Sequence, residues 1–162
     1  MPSIQVANLQ ENMAEKLARV NRKPLARDLY DLVWLAKTSP YSQFDRNIVR
    51  NLAVLKIWTD QFGIQSNTQH WGNSFGSTEY NESRWNAPIV KENIADEQIG
   101  LLTVPPPKME DLAQEFHSYF GFLADLSEKE RAIAFGNQSA RRMVIDAIQS
   151  FADSNLSSLP IW

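Results

Sequence analysis

Apolar residues spaced three or four apart set the fold class of this chain. Leu9, Met13, Leu17 and Val20 recur at intervals of 4, 4 and 3, and Leu25, Leu29, Leu32 and Ala36 repeat the pattern after Pro24. Ile48, Leu52, Leu55 and Phe62, widened by Val49, Ile57 and Trp58, make a third stripe. Further on, Met109, Leu112, Phe116, Tyr119, Phe120 and Leu123 form a fourth, and Met143, Ala147, Ile148 and Phe151 a last one. A helix turns once in about 3.6 residues, so each set lies on one face. The pattern predicts a mostly α chain of about six helices, near 9–20, 24–38, 45–62, 108–125, 128–135 and 138–152.

Punctuation residues support those limits. Asn8 with Glu11, and Ser127 with Glu130, read as capping boxes, in which each side chain satisfies a free N–H of the other's backbone. Pro24 suits the first turn of the second helix, where its missing N–H costs nothing. Gly63 and Gly136-Asn137 read as terminators. Ile4 and Val6 could make a very short strand. Residues 63–107 break the rhythm: Gln65 to Asn86 is rich in Asn, Ser, Thr, Gly and Gln, with His70, Trp71, Phe75, Tyr80 and Trp85 scattered through it. This predicts a long polar and aromatic loop region, mobile or pinned by its aromatics, closed by the stiff Pro105-Pro106-Pro107 segment. The expected organisation is one helical domain over 1–162, with candidate motifs in 1–62, the loop region in 63–107 and the C-terminal helices in 108–162.

Composition removes several function classes. The chain has no cysteine, which excludes disulfides, thiolate zinc sites and cysteine nucleophiles. No apolar run approaches the roughly 20 residues that span a bilayer, and the start of the chain does not read as a signal peptide, so no membrane role and a cytoplasmic location are expected. The net charge of −3 hides an asymmetry: residues 1–62 carry nine Lys/Arg against six Asp/Glu, and residues 63–162 seven against thirteen. Lys16, Arg19, Arg22, Lys23 and Arg27 crowd into twelve residues, a patch that could hold phosphates or be a solvated helix face. Gly72 and Gly76 open no phosphate loop, and Gly-x-Ser-x-Gly and His-Glu-x-x-His are missing. His70, Glu79 and Glu82 match no metal-ligand spacing, and His117 reads as a helix-face histidine.

One cluster stands out. Ala14-Glu15-Lys16-Leu17-Ala18-Arg19 is followed by Arg27-Asp28-Leu29-Tyr30-Asp31-Leu32. Asp28 and Asp31 are three apart and share one side of the second helix, flanking its stripe, as Lys16 flanks the first. If the helices pack by their stripes, Lys16 and both aspartates face one crevice. A lysine there can hold a phosphate as a point charge, while an aspartate can hold Mg²⁺ or orient a donor. The other reading of the same residues is an Arg27–Asp31 surface pair with a Lys16–Asp28 pair tying the helices together. Flanking positions predict that neither Lys16 nor Asp28 adds much to core burial.

The same residues carry a resemblance. Asn12-Met13-Ala14-Glu15-Lys16-Leu17-Ala18-Arg19-Val20, the basic turn and Ala26-Arg27-Asp28-Leu29-Tyr30-Asp31-Leu32 resemble the C-terminal half of the AbiEii/AbiGii nucleotidyltransferase-like toxins of type IV, abortive-infection toxin–antitoxin systems. Val54-Leu55-Lys56-Ile57-Trp58, the 96–103 segment and Tyr119-Phe120-Gly121-Phe122-Leu123 continue it, and residues 64–90 carry it least. The resemblance implies a helical lobe that follows an N-terminal lobe bearing a Gly-Ser turn and an Asp-x-Asp pair for Mg²⁺. No such segment precedes residue 12, and Gly76-Ser77 falls after the helices with no Asp-x-Asp behind it.

By that resemblance, Lys16 and Asp28 match the catalytic positions of the C-terminal half, and Arg22, Lys23, Arg27 and Asp31 match supporting or phosphate-binding ones. NTP and Mg²⁺ are implied as cofactors, with no metal held within this chain. The implied activity is transfer of a nucleotide from NTP to RNA or protein once the chain is joined to the missing N-terminal lobe. The implied partners are that lobe, an antitoxin protein, an RNA acceptor and a second copy of the chain. The alternative expectation is a non-catalytic helical interaction module that binds a partner protein or antitoxin.

Overall fold

The computed structural model describes residues 8–38, 45–65, 79–95 and 105–135, together with positions 145, 146 and 149, which are helical. The elements in chain order are α1 (Leu9–Arg22), α2 (Ala26–Lys37), α3 (Arg46–Gln65), α4 (Ser83–Asn86), α5 (Met109–Phe120) and α6 (Glu128–Ala134). Tight 3-10 turns occupy Lys91–Asn93 and Gly121–Ala124. Among the described residues there is no strand, only one isolated parallel bridge between Leu25 and Ala95. None of the described helices is long and apolar enough to cross a membrane. The mostly helical fold class expected from periodicity is therefore what forms.

The stripes become the core. Met13, Leu17 and Val20 of α1, Leu29 and Leu32 of α2, and Val49, Ala53 and Ile57 of α3 are fully buried in one cluster, joined by Phe116 and Phe120 of α5 and by Trp85. α1 packs chiefly on α3 and α2 on α5, while α6 lies against α3. Each buried Leu, Ile, Phe or Met contributes about 1.5–3 kcal/mol relative to an exposed position. This burial, rather than helical propensity alone, holds helices of 12–20 residues in place.

Several expected limits shift, for local reasons. Asn8 does cap α1, its Oδ1 accepting from Gln10 N at 3.1 Å, but the reciprocal half of the box is not made, because Glu11 reaches Lys56 instead. The Ser127–Glu130 box forms in full. α1 runs on to Arg22, and α2 begins at Ala26, not Pro24. Pro24 and Leu25 stay extended because their backbone pairs with Ala95: Ala95 N donates to Pro24 O at 2.9 Å and Ala26 N to Ala95 O at 3.0 Å. α3 continues through Gly63 to Gln65. A glycine inside a helix costs only about 1 kcal/mol, which does not end it. α5 tightens into the 3-10 turn at Gly121, where a Cβ would meet the His117 ring at 3.1 Å. The short strand near Ile4, most of the 138–152 helix, and the His70, Trp71, Phe75 and Gly76-Ser77 positions lie outside the described residues.

Residues 79–95 are pinned to the first two helices rather than running free. Asn21 is buried; its amide donates to Glu79 O at 2.8 Å and its carbonyl accepts from Asn81 N at 2.9 Å. Arg84 donates to Arg22 O at 3.2 Å, at the C-terminal end of α1 where free carbonyls need donors. Trp85, Ile89 and Ile94 are buried, and the Tyr80 hydroxyl donates to Leu123 O at 2.6 Å. Burial pushes the Tyr80 phenol up to about 12. Of the two expectations for this region, pinning by aromatics holds for the described part.

Candidate functional site

Lys16 and Arg19 stand three apart on α1, beside its buried stripe, and Asp28 and Asp31 stand three apart on α2. The extended turn through Pro24 and Leu25 sets α2 against α1, so the two polar pairs face each other. Arg19 Nε donates to Asp28 Oδ2 at 3.2 Å, and Arg19 Nη2 donates to Asp28 Oδ1, so two charge-assisted bonds join the pair. Lys16 Nζ donates to Asp31 Oδ2 at 2.7 Å and stands 3.6 Å from Asp28 Oδ1. Asp28 is 0% exposed, while Lys16 is 19%, Arg19 35% and Asp31 44% exposed along their side chains. Charges thus alternate along the contacts, from Arg19 to Asp28 to Lys16 to Asp31, with Asp28 the buried member. Asp28 also sits in the first turn of α2, where the helix end carries partial positive charge.

The structure corrects the burial expected of Asp28. Its position flanks the stripe, yet its carboxylate is enclosed between α1 and α2 because Arg19 folds over it. A buried carboxylate needs such a partner, since an unpaired charge in the interior costs several kcal/mol. Arg19 is the member of the network to which the sequence motifs assign no role of its own; its three-residue spacing from Lys16 is the signal that points to it. No Arg27–Asp31 surface pair forms among the ion pairs of the described residues: Asp31 takes Lys16, and the Arg27 Nε is buried without a hydrogen-bond partner. Arg22 turns to α3, where its guanidinium lies 3.3 Å from Asp60. Burial raises the Asp60 pKa, with Arg22 opposing the rise. Lys23 is the C-cap of α1, its N–H donating to Arg19 O at 2.8 Å.

The network opens onto a groove of about 360 Å³ lined by Glu11, Asn12, Glu15, Lys16, Arg19 and Lys56. Lys56 crosses from α3 to Glu15 at 3.2 Å and Glu11 at 3.4 Å. Burial alone would push the Lys56 ammonium down, but the two glutamates outweigh it and hold its pKa above the ordinary lysine value. The groove is therefore mixed in charge, with Lys16 at the edge shared with Asp28 and Asp31.

These residues fit a held anion better than a held metal. Among the described residues no group of three or more His, Cys, Asp or Glu side chains could hold a metal ion. Both Asp28 oxygens are taken by Arg19 and Asp31 Oδ2 by Lys16, which leaves Asp31 Oδ1 as the one oxygen of the two carboxylates outside these bonds, too few to hold a cation. Mg²⁺, which the resemblance implies, does not fit the network as it stands. A lysine ammonium at the mouth of a groove suits phosphate oxygens, which it can meet as a point charge.

Comparison with known proteins gives the class. The model of the family described as "Nucleotidyl transferase AbiEii toxin, Type IV TA system" matches residues 1–98, a span that contains the whole network, and the chain belongs to that family. Among solved structures it is similar to MenT4, the nucleotidyltransferase toxin Rv2826c from Mycobacterium tuberculosis H37Rv, with 31% sequence identity and a TM-score of 0.72. That match covers 93% of this chain and 47% of the toxin, so the chain spans about half the length of the solved relative. No curated protein matches the chain.

Proposed function

We propose that this chain supplies the helical part of a nucleotidyltransferase toxin of a type IV toxin–antitoxin system, working in the cytoplasm as one helical domain. In this reading it moves a nucleotide from NTP to an RNA or protein acceptor when joined to an N-terminal lobe that brings the metal-binding carboxylates. Lys16 takes the NTP phosphates and Asp28 orients the groups around them. Arg22, Lys23, Arg27 and Asp31 act in support, and an antitoxin is the regulating partner. The observation that carries the proposal is the enclosed Asp28 beside Lys16, at the edge of a groove, within the stretch that matches the family.

The test supplies a lobe containing the Gly-Ser turn and Asp-x-Asp pair, fused or in trans, and follows labelled NTP into RNA or protein. The 162-residue chain alone should transfer nothing. The joined protein should transfer, and Lys16→Ala should abolish transfer without unfolding the protein. Full activity of Lys16→Ala would sink the assignment. A second reading, a non-catalytic module that docks an antitoxin or a second copy, draws on Trp34, which is 48% exposed on the helix that carries Asp28. It predicts that Trp34→Ala abolishes capture of a co-expressed antitoxin or self-association, while Lys16→Ala leaves both intact.

A further inference from the structure

We infer that Arg19 is a positioning residue of this site, which fixes Asp28 and stays on it when an anionic ligand arrives, leaving Lys16 as the cation that changes partner. This rests on the reading that Lys16 receives phosphate oxygens. The two cations are held very differently. Arg19 puts two N–H donors on the two oxygens of a carboxylate with no exposure at all. Lys16 has one close bond, to Asp31, whose side chain is 44% exposed, and a longer approach of 3.6 Å to Asp28. Breaking an exposed pair costs little, whereas stripping a buried charge of its partner costs a great deal. The planar guanidinium is pre-organised for a carboxylate, and the ammonium, with three rotatable donors, re-aims easily.

The groove lies on the side where Lys16 can move. An anion entering it meets Lys16, with Arg19, the Asn12 amide and Lys56 also lining the space, and Arg19 is the lining cation already committed to a buried carboxylate. It also meets Glu11 and Glu15, whose charge Lys56 offsets. The ligand class this suits is a compact polyphosphate, bound through a lysine that lets go of Asp31. Without Arg19, the buried Asp28 would have Lys16 as its nearest cation, and Lys16 would be drawn inward and lost to the ligand. Arg19 thus governs anion binding through its grip on Asp28, which frees Lys16 for the ligand.

The experiment uses the 162-residue chain and inorganic triphosphate, with no metal and at low ionic strength. Side-chain ¹⁵N resonances of Lys16 Nζ and Arg19 Nε are followed through the titration, with Lys16→Gln and Arg19→Lys serving for assignment. The expected result is a saturating shift of Lys16 Nζ with Arg19 Nε unmoved. Arg19→Gln should weaken triphosphate about tenfold, close to the effect of Lys16→Gln, and Arg19→Lys should recover only part, since one ammonium cannot replace a two-point grip. The wild-type titration decides the matter even if Arg19→Gln does not fold. A shift of Arg19 Nε in step with Lys16 Nζ makes Arg19 a ligand contact and overturns the inference while sparing the phosphate reading. No shift of either resonance at saturating triphosphate overturns both.

Discussion

Between α1 and α2 the interior holds a carboxylate, Asp28, gripped by Arg19 and approached by Lys16. Along α5, the 3-10 turn after it and α6 it holds Phe116, Phe120, Leu123 and Ile133, and no charged side chain of that arm is buried among the described residues. Both regions belong to one apolar cluster. The aromatic arm needs only shape: Phe116 and Phe120 stack with centroids 5.3 Å apart, and Trp85 leans on Phe116 at 6.0 Å. The charged corner needs each donor and acceptor in place, and a hydrophobic filling of the same volume would be equally stable or more so. A charge kept where packing does not require it points to use, and that contrast separates the candidate site from the scaffold.

The largest expected effect breaks the corner. Asp28→Ala leaves Arg19 and Lys16 without their buried partner and should destabilise by about 3–5 kcal/mol, or about 10 °C in midpoint for a chain of this size. Thermal unfolding checks it. Combining Asp28→Leu with Arg19→Met should restore most of that loss; a double variant as unstable as Asp28→Ala would show that the pair is there for structure after all. Next comes the join between corner and loop. Asn21→Ala leaves Glu79 O and Asn81 N without their partner and should cost about 1–3 kcal/mol, with faster amide exchange over 79–86 as the local readout.

Tyr80 sharpens the arm's side of the contrast. Tyr80→Phe removes the bond to Leu123 O and should cost about 1 kcal/mol near neutral pH. The Tyr80 pKa, about 12, lies above its unfolded value of 10.0. Its contribution is therefore fully present below pH 10 and fades as pH rises through the folded value. The wild type should lose stability between pH 10 and 12 more steeply than Tyr80→Phe, measured by urea unfolding at each pH. The smallest effect belongs to the corner's outer pair. Asp31→Ala should cost no more than about 1 kcal/mol, because its side chain is 44% exposed, and a midpoint shift as large as that of Asp28→Ala would erase the distinction between the two aspartates.

The helices were legible because burial follows period: every residue of the first stripe from Met13 to Val20 is in the core. The pairing of Lys16 with both aspartates was legible for the same reason, since flanking positions on two packed stripes must meet. What spacing does not carry is which cation takes which carboxylate. Arg19 reaches Asp28 through a long side chain, and the choice is settled by burial, which a one-dimensional pattern does not contain. The pinning of Tyr80 and Trp85 was visible only as two aromatics in polar sequence, because their partners, Leu123 and Phe116, lie far along the chain. Ends moved where backbone pairing overrode local preference, as at Pro24 and Ala95.

The Asn21 clamp has a consequence for the order of assembly. Its bond to Glu79 O joins residues 58 apart, and the bridge from Leu25 to Ala95 closes a still longer circuit around the same turn. Closing circuits of that length costs chain entropy before any contact repays it, so local helices form first and such closures late. The turn that aims α2 at α1 is thus finished only after residues 79–95 have docked. In refolding kinetics, Asn21→Ala should leave the folding rate almost unchanged and speed unfolding; a slowed folding limb would place the clamp in the nucleus instead.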